Sequence, residues 1–282
     1  THPASHGHVT PAGHPERVAR IEAVERALAG VEGLDRREAG PAEEAFLLRG
    51  HPRAHLDAIR AALPTQGAVA LDPDTHLSPG SLEAALHAAG ACAAATDLVL
   101  SGERRAAFVA HRPPGHHAEP ERAMGFCLFS NAALAARHAL EAHGLSRVAV
   151  ADFDVHHGNG TQAVLWDEAR AAFASSQQMP LYPGTGAPSE RGAHGQIRNA
   201  ALDPGAGGAD FRAAWEGALL PFLDAAAPEL IIVSAGFDAH RDDPLAQLML
   251  EEDDFAWITR ELCALADRHA GGRIVSTLEG GY

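Results

Sequence analysis

The sequence predicts an α/β fold whose central, mostly parallel sheet is flanked by helices. Three observations carry this expectation. Short apolar runs of strand length recur along the 282 residues, and alanine-rich stretches of helix length separate them. Each run is followed by glycine, proline and titratable residues, the composition found at the ligand-binding edge of open α/β sheets. In chain order, Pro15–Leu28 reads as a helix opened by proline and glutamate. Ser81–Leu100 reads as a second helix, capped by Ser78 or Ser81. Ala106–Ala110 is the first predicted strand, and Asn131–His143 is a helix. Strands Val148–Phe153 and Ala171–Ser175 follow, then helix Phe211–Ala226, strand Leu230–Ala235, helix Phe255–Ala270 and strand Arg273–Leu278. Repeats, low-complexity tracts and linkers are lacking, so residues 1–282 are expected to form one domain. The chain stops at "LEGGY", directly after a strand-like run. A domain rarely ends on its last buried strand, so a chain cut short at its carboxyl end is expected.

Composition narrows the function classes. A net charge of −15 excludes the basic footprint of a non-specific nucleic-acid binder. All 22 positive charges are arginine, a bias that, with the abundant alanine, suggests a GC-rich bacterial genome. The three cysteines, Cys92, Cys127 and Cys263, are odd in number and widely spaced, so a reducing cytoplasm is expected rather than a disulfide framework. Neither a secretory signal nor an apolar run of about 18 residues is present, so no membrane association is expected. A homo-oligomer is left open.

The densest chemistry lies in "DFDVHHGNGT", Asp152–Thr161, at the end of the second strand. Asp154 and His156 are two apart, which on a strand places them on one side, roughly 6.6 Å apart. Asp238, in "SAGFDAH" at the matching end of another strand, supplies a third ligand. Two carboxylates and one imidazole leave a coordination position open, as a catalytic zinc requires. Asp152 lies one step deeper on the same face, where a buried carboxylate needs a partner such as an imidazole whose tautomer it would fix. His157 points to the opposite side and reads as support or packing. Gly158 and Gly160 are expected to let the backbone turn tightly beneath the metal. In "RPPGHH", His116 and His117 follow a stiff Pro-Pro-Gly turn. Such a pair can divide the work of general base and of general acid or electrostatic clamp; otherwise they are two surface histidines at a helix start.

With these residues in hand, the chain resembles the zinc-dependent histone deacetylase family, and most of all its class II-like bacterial members, which include acetoin-utilisation proteins and acetylpolyamine amidohydrolases. The resemblance runs through "GHPERVARI", "PDTHLSPGSLEAALHAAGA", "RPPGHHA", "MGFCLFSNAALAA", "DFDVHHGNGT", "PLYPGTGAPSERG", "SAGFDAHRDDPL" and "LEGGY". It implies the three-layer arginase/deacetylase-like fold, with zinc held by Asp154, His156 and Asp238. It further implies His117 as principal general base and acid, His116 as the electrostatic histidine beside it, and Tyr282 as hydrogen-bond donor to the developing oxyanion. Asp152 would orient His116. The second orienting partner, an aspartate in class I members, falls on Asn159, a departure shared with class II-like relatives. Phe126 and Tyr182 match the aromatic walls of the acyl-lysine tunnel, with Gly125 beside them. Asp152 and Ser175 match side chains near a structural potassium ion. Gln177 stands where many relatives carry histidine.

The resemblance thus implies hydrolysis of an N-acetyl-lysine side chain. Polyamine-selective relatives place an acidic gatekeeper where this chain has Leu245, and an apolar residue offers a cationic polyamine no counter-charge. Acyl-lysine peptides or proteins are therefore the expected substrate, and acetylpolyamines or other acetylated amines the alternative. A binuclear, arginase-like ureohydrolase would want a carboxylate at position 240, where His240 stands. An inactive acyl-lysine binder would lack a ligand, a histidine or the tyrosine, and all are present.

Overall fold

The computed structural model describes every residue, Thr1–Tyr282. Its centre is a six-stranded parallel sheet made of β3 (Ala106–Val109), β4 (Val148–Asp152), β5 (Ala171–Gln178), β6 (Ile197–Leu202), β7 (Ile231–Ala235) and β8 (Ile274–Leu278), in the order β3-β8-β7-β4-β5-β6. A separate pair, β1 (Val69–Ala70) and β2 (His76–Leu77), forms a small antiparallel sheet. Before β1 come a 3-10 turn (Pro3–Gly7) and helices α1 (Val18–Ala29), α2 (Glu44–Leu47) and α3 (Arg53–Ala62). The longer helices are α4 (Ser81–Leu100), α5 (Asn131–Glu141) and α9 (Glu252–His269); α6 (Asn159–Leu165), α7 (Gly208–Ala214) and α8 (Leu220–Ala226) are short. None of the helices is long and apolar enough to cross a membrane.

Both faces of the inner strands β4, β5, β7 and β8 are covered, which is why these strands read as continuous apolar runs. Along β4 the side chains alternate. Val148 and Val150 pack with Cys92 and Val99 of α4 and the alanines of α5, whereas Ala149 and Ala151 pack with Trp215, Leu223 and Leu262 on the opposite face. Small residues set the spacing of the first layer. Gly90 in α4 lies so close to the Gly40–Ala42 backbone that a Cβ there would collide with it.

Chain direction explains where a site forms. From β4 the chain moves outward through β5 and β6, then returns to the other side of β4 as β7 and β8. The crevice between the carboxyl ends of β4 and β7 is therefore a point where strand order reverses, the place where open α/β sheets bind ligands. In register, Asp152 faces Ser234 of β7 and Ser175 of β5.

Several expectations need correcting. Neither Ser78 nor Ser81 caps α4. Its N-cap is Gly80, and the Ser78 amide donates instead to Ser81 Oγ (2.7 Å), which also meets the His8 ring (2.7 Å). The predicted helix Phe211–Ala226 is broken by a π-turn at Trp215–Leu219. Pro221 follows it; proline has no amide hydrogen and its ring crowds the carbonyl one turn back, so the ladder widens there. The sequence signals also missed β6, whose run includes Arg198 and Asn199, and the helices α2, α3 and α6.

Candidate active site

Asp154 and His156 do not lie on a strand. β4 ends at Asp152, and the next residues bend over the sheet edge. The bend brings the side chains closer than strand period would. His156 Nδ1 is 3.1 Å from Asp154 Oδ1 and 3.1 Å from Asp238 Oδ2. All three are buried, and their ligand atoms lie within 4.8 Å of one another. Backbone amides fix the carboxylates. Asp154 Oδ1 accepts from the His156 amide (2.9 Å), Asp154 Oδ2 from Gly280 (2.9 Å) and Asp238 Oδ1 from Val155 (2.9 Å). Glycine is required around them by close approach. A Cβ on Gly236 would strike the Asp154 carboxylate, and one on Gly280 the Asp238 carboxylate. The same holds for Gly158 and Gly160, which adopt no positive φ: a Cβ would strike Asp152 at the first and the Ala118 backbone at the second.

The donor set fits a divalent ion. Burial, and then the neighbouring Asp154 charge, raise the Asp238 carboxyl to about 6. His156 is pushed up to about 10: burial opposes the shift, but both carboxylates favour the imidazolium. A buried pocket with this excess of negative charge is one that a dication relieves, and two carboxylates with one imidazole suit zinc. His240 is not part of the cluster. It stacks on Phe255, with Nε2 3.8 Å from Glu252.

His116 and His117 are buried, not surface residues, at 3% and 4% exposure, and no helix starts there. Their rings are 4.0 Å apart between centroids. His116 Nδ1 meets Asp152 Oδ2 at 3.1 Å, and His117 Nδ1 meets Asn159 Oδ1 at 2.8 Å. Burial works against charge on both rings, but the outcomes differ. The charges of Asp154 and Asp152 overcome it at His116 and hold that ring well above the usual range. At His117, burial together with His116 and His156 holds the ring well below it, so the imidazole is neutral near pH 7. His157 turns away, bonding Thr185 Oγ1 (2.8 Å) and Gln162 Oε1 (3.1 Å).

Aromatic residues rim the site. Tyr182 is edge-on to His117 (5.2 Å between centroids), and Phe126 is edge-on to Tyr282 (5.6 Å). Gly125 and Phe126 both take positive φ, 55° and 68°. A Cβ on Gly125 would collide with the His117 ring, and the Phe126 amide is tied to Thr75 Oγ1 (3.0 Å). Positive φ at a phenylalanine is strain held by its surroundings, and it aims the ring at the rim. Burial raises the Tyr282 hydroxyl well above the usual phenol range; the nearby Arg20 guanidinium opposes this, and the Asp238 and Asp154 carboxylates add to it. The hydroxyl therefore stays protonated and can donate. Leu245 is half-buried, and its amide bonds Asp243 Oδ1 (2.9 Å), while Asp243 Oδ2 accepts from the Tyr282 amide (2.7 Å). Ser175 donates to Gln177 Oε1 (2.9 Å), and Gln177 Nε2 to the Gly186 carbonyl (2.6 Å), so Gln177 ties β5 to the loop that carries Tyr182.

Four supporting residues escaped the sequence signals. Glu279 is buried and accepts from the Gly115 and His116 amides (2.6 and 3.1 Å), holding the histidine loop. Arg20 donates to the Glu279 and Gly281 carbonyls (2.6 and 2.5 Å) and lies 4.3 Å from the Tyr282 ring centroid. Glu16 binds Arg20 and Arg112. Glu119 meets the Asn159 amide nitrogen at 2.8 Å. Glu16 and Arg20 lie within "GHPERVARI", but a charged pair four apart at a helix start reads as a solvated face unless burial is known. A second histidine–carboxylate cluster, Asp97 with His138 and His143, lies at the surface. One Asp97 oxygen meets both imidazoles at 2.7 and 2.6 Å, hydrogen bonds that account for the arrangement.

Comparison with known proteins identifies the family and the fold. The histone deacetylase domain family matches residues 14–282. A histone deacetylase-like amidohydrolase of Pseudomonas aeruginosa is 41% identical over 284 residues, covering 99% of this chain and 74% of that protein. A probable deacetylase of Archaeoglobus fulgidus is 40% identical over 215 residues, covering 75% of this chain and 60% of the relative. The crystal structure of the HDA15 HD domain superposes with a TM-score of 0.92 at 34% identity, covering 100% of this chain and 82% of that one.

Proposed function

The chain belongs to the histone deacetylase family, and from that premise we propose that it is a zinc-dependent amidohydrolase that removes acetyl groups from N-acetyl-lysine side chains. The observation that carries the proposal is one juxtaposition: the buried Asp154–His156–Asp238 cluster beside a buried histidine pair, 4.0 Å apart between ring centroids, whose Nδ1 atoms meet Asp152 and Asn159. When bound by Asp154, His156 and Asp238, zinc supplies Lewis acidity that polarises the acyl carbonyl and makes water easier to deprotonate. His117, neutral and held through Nδ1 by Asn159, takes the proton from the attacking water and returns it to the departing amine. His116, kept cationic beside Asp152, stabilises negative charge as it develops. The Tyr282 hydroxyl donates to the same oxyanion. Gly125, Phe126 and Tyr182 exclude water around the acyl-lysine stem. Asp152 and Ser175, adjacent in register, are the side chains that would help hold a structural potassium ion.

The half-buried Leu245 supports acyl-lysine over acetylpolyamine, because an apolar side chain at that position offers a cationic polyamine no counter-charge. A single catalytic metal is favoured because His240 stands outside the cluster. The test is acetate release from acetyl-lysine peptides, acetylated polyamines and longer acyl-lysines. Chelation should abolish turnover and zinc should restore it. Tyr282→Phe should lower the rate on the order of 10²–10³-fold. Equal rates for the two proteins would remove Tyr282 from the mechanism, and preference for the polyamine would overturn the substrate assignment. Two transition ions bound at this site would favour the binuclear alternative.

A further inference from the structure

We propose that Glu119 is a positioning residue that sets the tautomer of His117 through the Asn159 amide, and that it is the reason position 159 carries a neutral side chain. The consequence for turnover rests on the deacetylase function proposed above; the geometry does not. Asn159 opens α6 between two partners. Its Oδ1 is 2.8 Å from His117 Nδ1, and its Nδ2 is 2.8 Å from Glu119 Oε1. The two ends of an amide are alike in shape, so what each end must bond decides which one faces the histidine. An ionised carboxylate only accepts, so Glu119 takes the amide N–H. Oδ1 is thereby turned to the imidazole and must meet a donor, which puts the His117 proton on Nδ1. Nε2 is left with its lone pair, the form a general base needs. Met124 Sδ, a weak acceptor 3.4 Å from the same Nδ2, biases the amide the same way. The carboxylate itself is placed by a tight turn, in which Glu119 and Arg122 exchange backbone hydrogen bonds (2.9 and 3.3 Å).

Without Glu119 the amide is free to turn over. It would then donate to Nδ1 and select the tautomer whose Nε2 carries the hydrogen, in which the base is blocked. The same geometry disfavours aspartate at 159. Two carboxylates at hydrogen-bond distance cannot both stay ionised without cost. Asparagine with Glu119, or aspartate without it, are thus equivalent ways to present an acceptor to His117.

The experiment uses zinc-loaded, ¹⁵N-histidine-labelled wild type, Glu119→Ala, Asn159→Asp and the double variant. The His117 ring signals are assigned by difference against His117→Ala, and kcat and KM are measured on an acetyl-lysine peptide. Wild type should show hydrogen on Nδ1. Glu119→Ala should show a mixture of tautomers and a kcat lower by about tenfold, the scale of one lost charge-assisted hydrogen bond, with KM little changed. Asn159→Asp alone should also lose activity. The double variant should regain the Nδ1–H form and come within about threefold of wild type, far from additive behaviour. Should Glu119→Ala unfold the turn, Glu119→Leu keeps much of the bulk without an acceptor and should give the same ring signature. An unaltered Nδ1–H form in the Glu119 variant, or single losses that simply multiply in the double variant, overturns the proposal. The ring signals need no turnover, so a wild type with hydrogen on Nδ1 that hydrolyses no acetylated amine would count against the deacetylase function alone.

Discussion

Glu16 and Arg112 have fully buried side chains and face each other as a fork, with Nε and Nη2 each 2.5 Å from a carboxylate oxygen. Arg20 and His8 add contacts at 3.0 and 3.3 Å. Burial would raise the Glu16 carboxyl, but the His8 hydrogen bond and the Arg112 charge hold it well below the usual range. Glu16→Gln leaves two arginines without their counter-ion, and breaking a buried pair in this way costs about 3–5 kcal/mol. The sign of the pH dependence follows. The depressed carboxyl stabilises the fold fully above the unfolded glutamate pKa of about 4.3 and progressively less as the pH falls below it. The stability gap between wild type and variant, from urea melts, should therefore be flat from pH 7 to about 5 and shrink on further acidification. A gap that widened on acidification would contradict the ionised pair. At this scale the sequence was uneven. The Asp154–His156–Asp238 cluster and the histidine pair were legible because such residues stand directly after strand-like runs, at the edge where α/β sheets bind ligands. Arg20, Glu16, Glu279 and Glu119 were not, because a charged residue shows its importance only through burial.

Among the elements, the α7–π–α8 segment is the one whose shape depends most on a single side chain. Trp215 at the head of the π-turn is wholly buried and packs beside Phe211, and its Nε1 donates to Ser176 Oγ of β5 (3.0 Å). Trp215→Ala should cost about 3–5 kcal/mol in denaturant melts, with part of that loss due to the stranded Ser176 hydroxyl. Trp215→Phe keeps most of the volume and should cost distinctly less; equal losses would mean that packing is not the dominant contribution. The break did have a sequence signal: Pro221 falls inside the expected helix Phe211–Ala226, where a missing amide hydrogen and the ring disfavour a continuous ladder. β6 lacked such a signal. Ile197 and Asn199 are buried but Arg198 is not, so at the sheet edge the continuous apolar signal of the inner strands is lost. The strand predictions held best in the middle of the sheet, where β4, β5, β7 and β8 are buried on both faces.

For the molecule as a whole, the parallel class of the sheet was legible but its order was not, because crossover connections through helices do not declare which strand a new strand will join. That order brings Asp238 beside Asp154, and it also gathers charge. The chain carries −15 overall, and two of its carboxylates, Asp72 and Asp74, lie in the turn near Tyr182. Burial, and then the charges of Asp74 and Asp72, raise the Tyr182 hydroxyl above the usual phenol range; Asp72 Oδ1 accepts from the Asp74 and Thr75 amides, and its paired cation, Arg122, is 3.9 Å away. Such a field draws cationic substrates from a distance and is screened over about 10 Å at 0.1 M salt. For an acetyl-lysine peptide flanked by arginines, kcat/KM should fall about 3–10-fold between 50 and 500 mM salt. A peptide of the same length flanked by neutral residues should change little, and kcat should stay constant for both, since the steps after binding take place in the buried site. An acidic-flanked peptide should respond in the opposite sense, improving as salt rises. If all three peptides lost activity in parallel, salt would be acting on the protein's stability or its metal, and the acidic surface would have no part in substrate capture.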